Sequence, residues 1–445
     1  MKETMLGKDP IHKLFLTYSI PTVAAMLFLG LNTIVDGLFV GNYIGASALA
    51  SVNIAMPFSS FVIALSIMIG IGSQSLIGRQ LGAGQIKEAH TAFKTAILLI
   101  GGSSLLFAAV AAIFPEEIAR CLGANEHILE QTAVYIRYSG LFLPFLSVML
   151  VLDYSLKTIG RPIYAMIALI LAVSSHMGLT WLLVGRLSMG LKGAALAMGI
   201  SCMIAFILAM LPFSSKKNTL NFFQGSFDKK TAAYILYGGS AEGLTEIGTG
   251  VTTFLFNITL MRYVGETGVA AFTVISYLSF IGNNVLIGLS DGVGAIISYN
   301  YGYKKAARVK KALKLACITA FSIGIGFFLV FFVFSKEIVS IFLAAGNEKV
   351  LNFALYGAKI YAFSFLVNGL NIVTSGYFTA IGQPKNAALI SLSKGFLWIT
   401  AGIAILPALF GIKGIWLTVP LAETATILLS IGLLYRHFTD PFRLK

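Results

Sequence analysis

Charge is scarce in this sequence. Of 445 residues only 11% are Asp, Glu, Lys or Arg, while 57% are hydrophobic, and the mean hydropathy is +0.86. A soluble chain of this length needs far more surface charge, so the balance suits a chain surrounded mostly by lipid. Alternating, strand-like segments of about ten residues are absent, which argues against a transmembrane barrel. Cysteine is nearly absent: Cys121, Cys202 and Cys317 form no CxxC pair and read as packing residues rather than a redox or metal motif. No GxxxxGK[ST] phosphate loop occurs, so nothing points to ATP use. No HExxH or nucleophile–base cluster marks a membrane-embedded enzyme. A cleaved signal is not expected either. The first apolar segment, 14–41, exceeds the roughly 7–15 residues of a signal core, and similar segments recur along the whole chain.

What is present is a series of apolar runs, each long enough to span a bilayer as a helix of roughly 20 residues. They predict helices over 14–41, 49–77, 92–114, 132–156, 163–184, 193–212, 233–261, 269–299, 315–334, 353–380, 387–406 and 414–435. The expected fold is therefore an all-α integral membrane protein of about twelve transmembrane helices. The net charge of +14 would suggest nucleic acid in a soluble protein, but here topology accounts for it. With both termini placed in the cytoplasm, 22 of the 32 basic residues fall on inside loops and helix ends, nine fall outside, and Lys394 lies within a helix. That asymmetry is the positive-inside rule and calls for no nucleic-acid partner.

Four internal matches recur at offsets of 220 to 222 residues. Gly45-Ala-Ser-Ala-Leu-Ala-Ser-Val-Asn53 aligns with Gly265-Glu-Thr-Gly-Val-Ala-Ala-Phe-Thr273, and Arg79-Gln-Leu-Gly82 with Tyr299-Asn-Tyr-Gly302. Ile159-Gly-Arg-Pro162 aligns with Ile381-Gly-Gln-Pro384, and Gly190-Leu-Lys-Gly193 with Gly411-Ile-Lys-Gly414. Two halves of six helices each enter the membrane in the same sense, and a site between such halves is what alternating access needs. The expected division is an N-lobe over 1–213, a linker over 214–232 and a C-lobe over 233–445.

Six acids fall inside predicted helices: Asp36, Asp153, Glu242, Glu246, Asp291 and Glu423. A charge at mid-bilayer costs roughly 2.5–3.5 kcal/mol on insertion scales, so such residues mark an ion or substrate path by default. Asp36 shares a face with Asn32 and reads as a proton or cation site, the alternative being a protonated acid bonded to Asn32 for packing. His176, with Thr180 one turn on, suits a proton relay or a single interhelical hydrogen bond. Glu242 and Glu246 share a face, and two like charges that close hold one proton between them more readily than they both ionise. The alternative is a glutamate capping a glycine-rich kink at Gly238, Gly239 and Gly243. Ser364, Asn368, Asn371 and Ser375 form one polar stripe, fit for a water-lined cavity or for interhelical hydrogen bonds. Glu423 can pair with Lys394. For Asp153, Asp291 and Glu423, structure or gating is as open as direct binding. Pro21, Pro57, Pro144 and Pro420 interrupt helices, and Pro21 is a candidate hinge that couples a bend to Asp36.

These residues carry a resemblance. The six-plus-six plan, the run Asn32-Thr-Ile-Val-Asp36-Gly-Leu-Phe-Val-Gly41, the loops Arg79-Gln-Leu-Gly-Ala-Gly84 and Tyr299-Asn-Tyr-Gly-Tyr303, the paired turns and Asn257 together resemble the multidrug and toxic compound extrusion (MATE) family, in its DinF/MepA-like bacterial branch. The resemblance covers nearly the whole chain. It implies two six-helix lobes in a V, a central cavity, and secondary antiport of organic cations or drugs for H⁺ or Na⁺ across the bacterial cytoplasmic membrane, by a monomer without cofactor or metal. Asp36 matches the family's first-helix acid, and Asp153 a fourth-helix acid of the branch. His176 and Thr180 stand where many relatives carry Asn and Asp, Met198 where a Thr is frequent, and Asn368 where the Na⁺-driven branch uses an acid. A hard cation needs several oxygen ligands, so these departures favour H⁺ over Na⁺. A lipid-precursor flippase of the same superfamily would line its cavity with Lys and Arg, whereas six acids against Lys394 favour cationic cargo. A major-facilitator transporter would carry an Asp-Arg-rich loop where 79–88 has none. Acids together with aromatics (12% of residues) suit bulky amphipathic cations.

Overall fold

The computed structural model describes residues 5–216, 218–342 and 348–439; inside helices, the side chains of residues 33–38, 40–42, 46, 49 and 341–342, Asp36 among them, lie outside the described residues. The chain is all-helical there, with no strand among the described residues. The N-lobe comprises α1 (Ile11–Tyr43), α2 (Ala46–Gly82), α3 (Ile86–Ile113), α4 (Leu129–Gly140 and Leu143–Thr158), α5 (Pro162–Thr180, running on as one wide turn, Trp181–Arg186) and α6 (Gly190–Met210). The C-lobe comprises α7 (Ser240–Val264), α8 (Glu266–Gly302), α9 (Ala306–Val333), α10 (Phe365–Ala380, continuing from Glu348–Tyr361 through Ala362–Ser364), α11 (Pro384–Leu392, Ser393–Leu397 and Trp398–Phe410) and α12 (Ile412–Thr439).

Ten of these helices are long and apolar enough to cross a membrane, eleven if the bent α4 pair counts as one span. The remaining element, α7, is long enough but carries Glu242 in its first turn, Arg262 in its last and Glu246 between, which makes it the least lipid-like. Three expectations shift. The helix predicted over 233–261 is broken at Gly239 into Lys229–Gly238 and Ser240–Val264. The helix predicted over 132–156 bends by 47° at Pro144, which sits in the first turn of Leu143–Thr158, where its missing N–H costs nothing. The helix predicted from 315 starts at Ala306, because its basic first turns lie outside the apolar run that revealed it. Pro21, Pro57 and Pro420 lie inside continuous helices. Next to Pro21, the Thr22 hydroxyl donates to the carbonyl of Tyr18 at 2.8 Å, one of the ways a side chain serves the backbone around a proline in a helix.

The repeated turns share backbone geometry. Gly45 and Gly265 have φ of 112° and 77°, Gly160 and Gly382 of 86° and 76°, and Gly190 and Gly411 of 57° and 56°. All lie in the left-handed region that glycine enters without a Cβ penalty. In a fourth pair, Gly84 at φ 77° is matched by Lys304 at φ 57°. A side chain there costs about 1–2 kcal/mol.

The lobes meet where α1 and α2 cross α7 and α8, and the crossings need glycine. A Cβ on Gly82 would overlap the carbonyl of Tyr299, one on Gly302 the carbonyl of Arg79, one on Gly72 the carbonyl of Ile235, and one on Gly239 the carbonyl of Met68. Gly288 and Gly292 meet the backbone of α1 at Thr22 and Tyr18 in the same way. The Ser75 hydroxyl donates to the carbonyl of Thr379 at 2.6 Å. Beyond the helices, Arg308 donates to the carbonyls of Leu6 at 3.0 Å and Asp9 at 2.8 Å, hooking the N-terminal segment onto α9. These contacts gather in the half of the molecule that holds both ends of the described chain, Met5 and Thr439, here termed the basic end, and the lobes diverge toward the other. The segment between the lobes packs on α3: Phe213 and Phe222 stack around Phe93, and Lys94 donates to the carbonyl of Phe222 at 2.7 Å. Asp228 then caps the next helix, and its bonds from Thr231 hold its carboxyl below the usual carboxylate range.

Gly82→Val is expected to lower stability by about 1–3 kcal/mol, because its Cβ has nowhere to go. Gly102→Val, in whose place nothing lies within 4 Å, is expected to change little. Thermal melting of both variants in detergent, followed by size-exclusion chromatography, checks the contrast; equal melting points would contradict the close crossing.

Candidate functional site

The buried polar residues gather in three groups, two within lobes and one between them. The C-lobe group is a continuous network. Lys394, in the wide turn of α11, lies 3.1 Å from Glu423 Oε1 and donates to Asn368 Oδ1 at 2.6 Å. Asn368 in turn donates to Asn283 Oδ1 at 2.6 Å. Asn371 donates to the other Glu423 oxygen at 2.8 Å and accepts from Ser430 at 2.9 Å. Helix widening turns α11 so that its lysine faces inward, a distortion that recurs at functional positions. The Lys394–Glu423 pair read from the sequence is thus present. Of the two readings open for the α10 stripe, interhelical bonding describes Asn368 and Asn371, which are buried.

The N-lobe group joins Asn32 to His176: Nδ1 of the imidazole lies 3.0 Å from the Asn32 Oδ1 atom. The predicted pairs Asn32/Asp36 and His176/Thr180 sit on two helices, α1 and α5, and this bond brings them together. Thr180 is buried and its hydroxyl has no hydrogen-bond partner. Asp36 lies on α1, one turn beyond Asn32.

The third group lies in the seam. A cavity of about 20 Å³, room for a water molecule, is lined by Gln74 and Ser75 of α2, Glu242 of α7, Ser290, Asp291 and Gly294 of α8, and Gly376 and Thr379 of α10. Around it, Gln74 Nε2, Asp291 Oδ2 and the Thr379 hydroxyl are buried without partners. Tyr154 of α4 neighbours Asp291 from across the seam. Asp153 forms a 2.6 Å ion pair with Lys157 on the same helix, and Lys157 is only 3% exposed. Glu246, one turn beyond Glu242 on the same face of α7, is exposed, and Asn257, three turns beyond, is half-buried with its amide oxygen unpartnered. The sequence pairing of Glu242 with Glu246 is therefore only part of the geometry, since Glu242 also faces Asp291 of another helix. Among the described residues no three His, Cys, Asp or Glu side chains converge as a metal-ligand group.

The sequence placed Lys157 among the cations of inside loops and helix ends; it sits in the last turn of its helix and is buried there beside Asp153. The i, i+4 spacing of the two was the available signal. Gln74, Tyr154 and Asn283 were missed, and nothing local distinguishes them, since their partners come from other helices.

The MatE family model matches residues 21–182 and again residues 243–400. The chain is similar to the multidrug export protein MepA of Staphylococcus haemolyticus, 27% identical over 431 residues that cover 96% of this chain and 94% of that protein. It is similar in fold to the outward-facing conformation of a multidrug resistance MATE family transporter of the MOP superfamily, with a TM-score of 0.89, 21% identity and 98% of each chain covered. A MOP superfamily transporter from Pyrococcus furiosus superposes with a TM-score of 0.91, 20% identity and 98% of each chain covered.

Removing one member of a buried pair strands the other charge. Lys394→Met or Glu423→Leu alone is expected to cost on the order of 3 kcal/mol, and the double variant less than the sum of the two. Thermal denaturation of the three variants in detergent tests this; additive losses would mean that the two groups are independently hydrated.

Proposed function

Because the chain belongs to the MatE family of multidrug and toxic compound extrusion transporters, we propose that it exports organic cations, drugs among them, across the bacterial cytoplasmic membrane by alternating access driven by inward proton flow. The lobes are residues 1–213 and 233–445, joined by 214–232. The basic end faces the cytoplasm, in keeping with the positive-inside bias. The transporter works as a monomer without cofactor. In this reading the close crossings seal the cytoplasmic side and the crevice opens outward.

The observation that carries this reading is the seam cavity with Glu242 and Asp291 on its wall. Two enclosed carboxyls that face each other are expensive to ionise together, and a proton removes one of the two charges. When the lobes part at the cytoplasmic end, water reaches both carboxyls and the proton can leave. Proton binding and lobe closure are then one equilibrium, which is the linkage a secondary transporter needs. Asp36 is the matching acid on the outward side, with His176 and Asn32 as its relay, Glu246 and Asn257 line the crevice along α7, and Pro21 is the hinge of α1. Asp153, with Lys157, gates the seam from the N-lobe. Asn368, Asn371 and Glu423 with Lys394 hold the C-lobe wall. Proton coupling is favoured over Na⁺ because the Asn32 side-chain oxygen is engaged by His176 at 3.0 Å, which leaves fewer oxygens for a hard cation.

Uptake of ethidium into inverted vesicles separates the readings. Transport is expected under an imposed ΔpH, unchanged by a Na⁺ gradient, and reduced tenfold or more in Asp36→Asn and in Glu242→Gln. Transport driven by Na⁺ alone would replace the proton by sodium. No ethidium transport under either gradient would turn the assignment toward a lipid-precursor flippase.

A further inference from the structure

A second, larger cavity lies at the basic end, about 370 Å³ in volume and walled by both lobes. Arg79 and Gln80 of α2 form one side; Tyr301, Lys304 and Lys310, from the end of α8 and the start of α9, form another. Phe438 of α12 and Tyr377 of α10 complete the wall. Among the described residues its charged lining is three cations and no carboxylate. Lys310 Nζ stands 5.2 Å from the centre of the Phe438 ring, so a cation lies against an aromatic floor. The Arg79 Nε donates to the carbonyl of Ser75 at 3.1 Å, which holds the guanidinium at the cavity edge. The Gln80 amide oxygen is buried without a partner.

Lys304 adds an independent observation. It occupies the left-handed backbone position that its repeat mate Gly84 fills as glycine. A side chain kept at such a position is held there against its own backbone preference. Here that side chain is a lysine on the cavity wall, while the N-lobe copy of the turn has no side chain at all.

We propose that this cavity is a binding site for an anionic glycerophospholipid of the leaflet at the basic end. Arg79, Lys304 and Lys310 take the phosphate, the Gln80 amide takes a headgroup hydroxyl, and the aromatic and aliphatic wall takes the first part of an acyl chain. The volume fits a headgroup with a few methylenes, and a cluster of Lys and Arg directly outside a transmembrane helix is the pattern that recognises anionic lipid. Because α2 belongs to one lobe and α8, α9, α10 and α12 to the other, a lipid here ties the lobes together. It therefore binds the closed form of the seam better than an open one and shifts the population toward it.

The test uses the purified full-length protein in neutral detergent, with melting temperature read against added phosphatidylglycerol, phosphatidylcholine, or glycerol phosphate with inorganic phosphate. Phosphatidylglycerol is expected to raise the melting temperature saturably, with the other two near baseline. The double variant Lys304→Gln, Lys310→Gln is expected to need about tenfold more phosphatidylglycerol for half the effect. The double variant Lys305→Gln, Lys311→Gln, which removes two neighbouring cations outside the cavity, is expected to behave as wild type. Equal weakening in both double variants would overturn the proposal in favour of general surface charge. Equal stabilisation by phosphatidylcholine would remove the anionic headgroup from it, and stabilisation by the soluble phosphates would remove the lipid. The readout needs no transport, so it stands apart from the ethidium assay.

Discussion

The lobes touch through backbone, and everything at the seam follows from that. Gly72, Gly82, Gly239, Gly288, Gly292 and Gly302 leave no room for a Cβ where α1 and α2 cross α7 and α8. In lipid no hydrophobic force drives helices together, so close approach and dispersion have to do it, and small residues are the means. Contacts of that kind are short-ranged and shape-specific. They hold the lobes firmly in register where they exist and contribute nothing a few ångströms away. A joint so built has two positions rather than a continuum, sealed or parted, and this is what a transporter needs of it.

The repeat places the joint on a pseudo-two-fold axis and then departs from it. Gly72 meets the helix just before α7, at Ile235 and Gly239, in one lobe as Gly292 meets α1 in the other, residues matched at the repeat offset. Likewise Gly70 receives the ring of Tyr154, while at the matched pair Gly376 faces the hydroxyl of Ser290, with large and small partners exchanged. Charge is where the symmetry fails. Asp291 is matched by Ile71, and Lys157 by Thr379. The scaffold is duplicated, but the seam carboxylates Glu242 and Asp291 belong to one half only. Duplicated packing keeps two conformations close in energy, and unduplicated charge lets an ion distinguish them.

The extent to which this was legible in the sequence follows from distance along the chain. The helices, the repeat and the Lys394–Glu423 pairing came from hydropathy, from offsets and from the cost of an unpaired charge in the membrane. Glycine turns were legible because left-handed backbone leaves a residue signature. The pairing of Lys157 with Asp153 was not read because a hydropathy boundary cannot tell a lysine that leaves the membrane from one that turns back to an acid one helical turn away. The break at Gly239 was legible only as an alternative, a glycine-rich kink, because three glycines in a row of six are as compatible with a kink as with close packing, and here Gly239 serves both. Gln74, Tyr154 and Asn283 were invisible for a different reason. Their roles are set by partners on helices that approach only once both lobes have folded, and no local pattern encodes that.

The seam and the N-terminal hook are unlike in kind, and the difference bears on how the closed form is controlled. The glycine crossings are repeated in both lobes, and both copies lie toward the basic end, so they resist parting at that end alike. The bonds from Arg308 to the Leu6 and Asp9 carbonyls have no counterpart at the far end, because the chain has only one N-terminus. Each charged hydrogen bond of this sort contributes roughly 1.5–3 kcal/mol at most. That is comparable to a proton's contribution, about 1.4 kcal/mol for each unit by which two states differ in proton affinity. A transporter whose closed form depended chiefly on its hook would be insensitive to protons; one in which hook and seam acids are of similar strength can be tipped by either. The placement of the acids inside the seam rather than at its rim is what makes the second arrangement possible, since only there does parting the lobes change their contact with water.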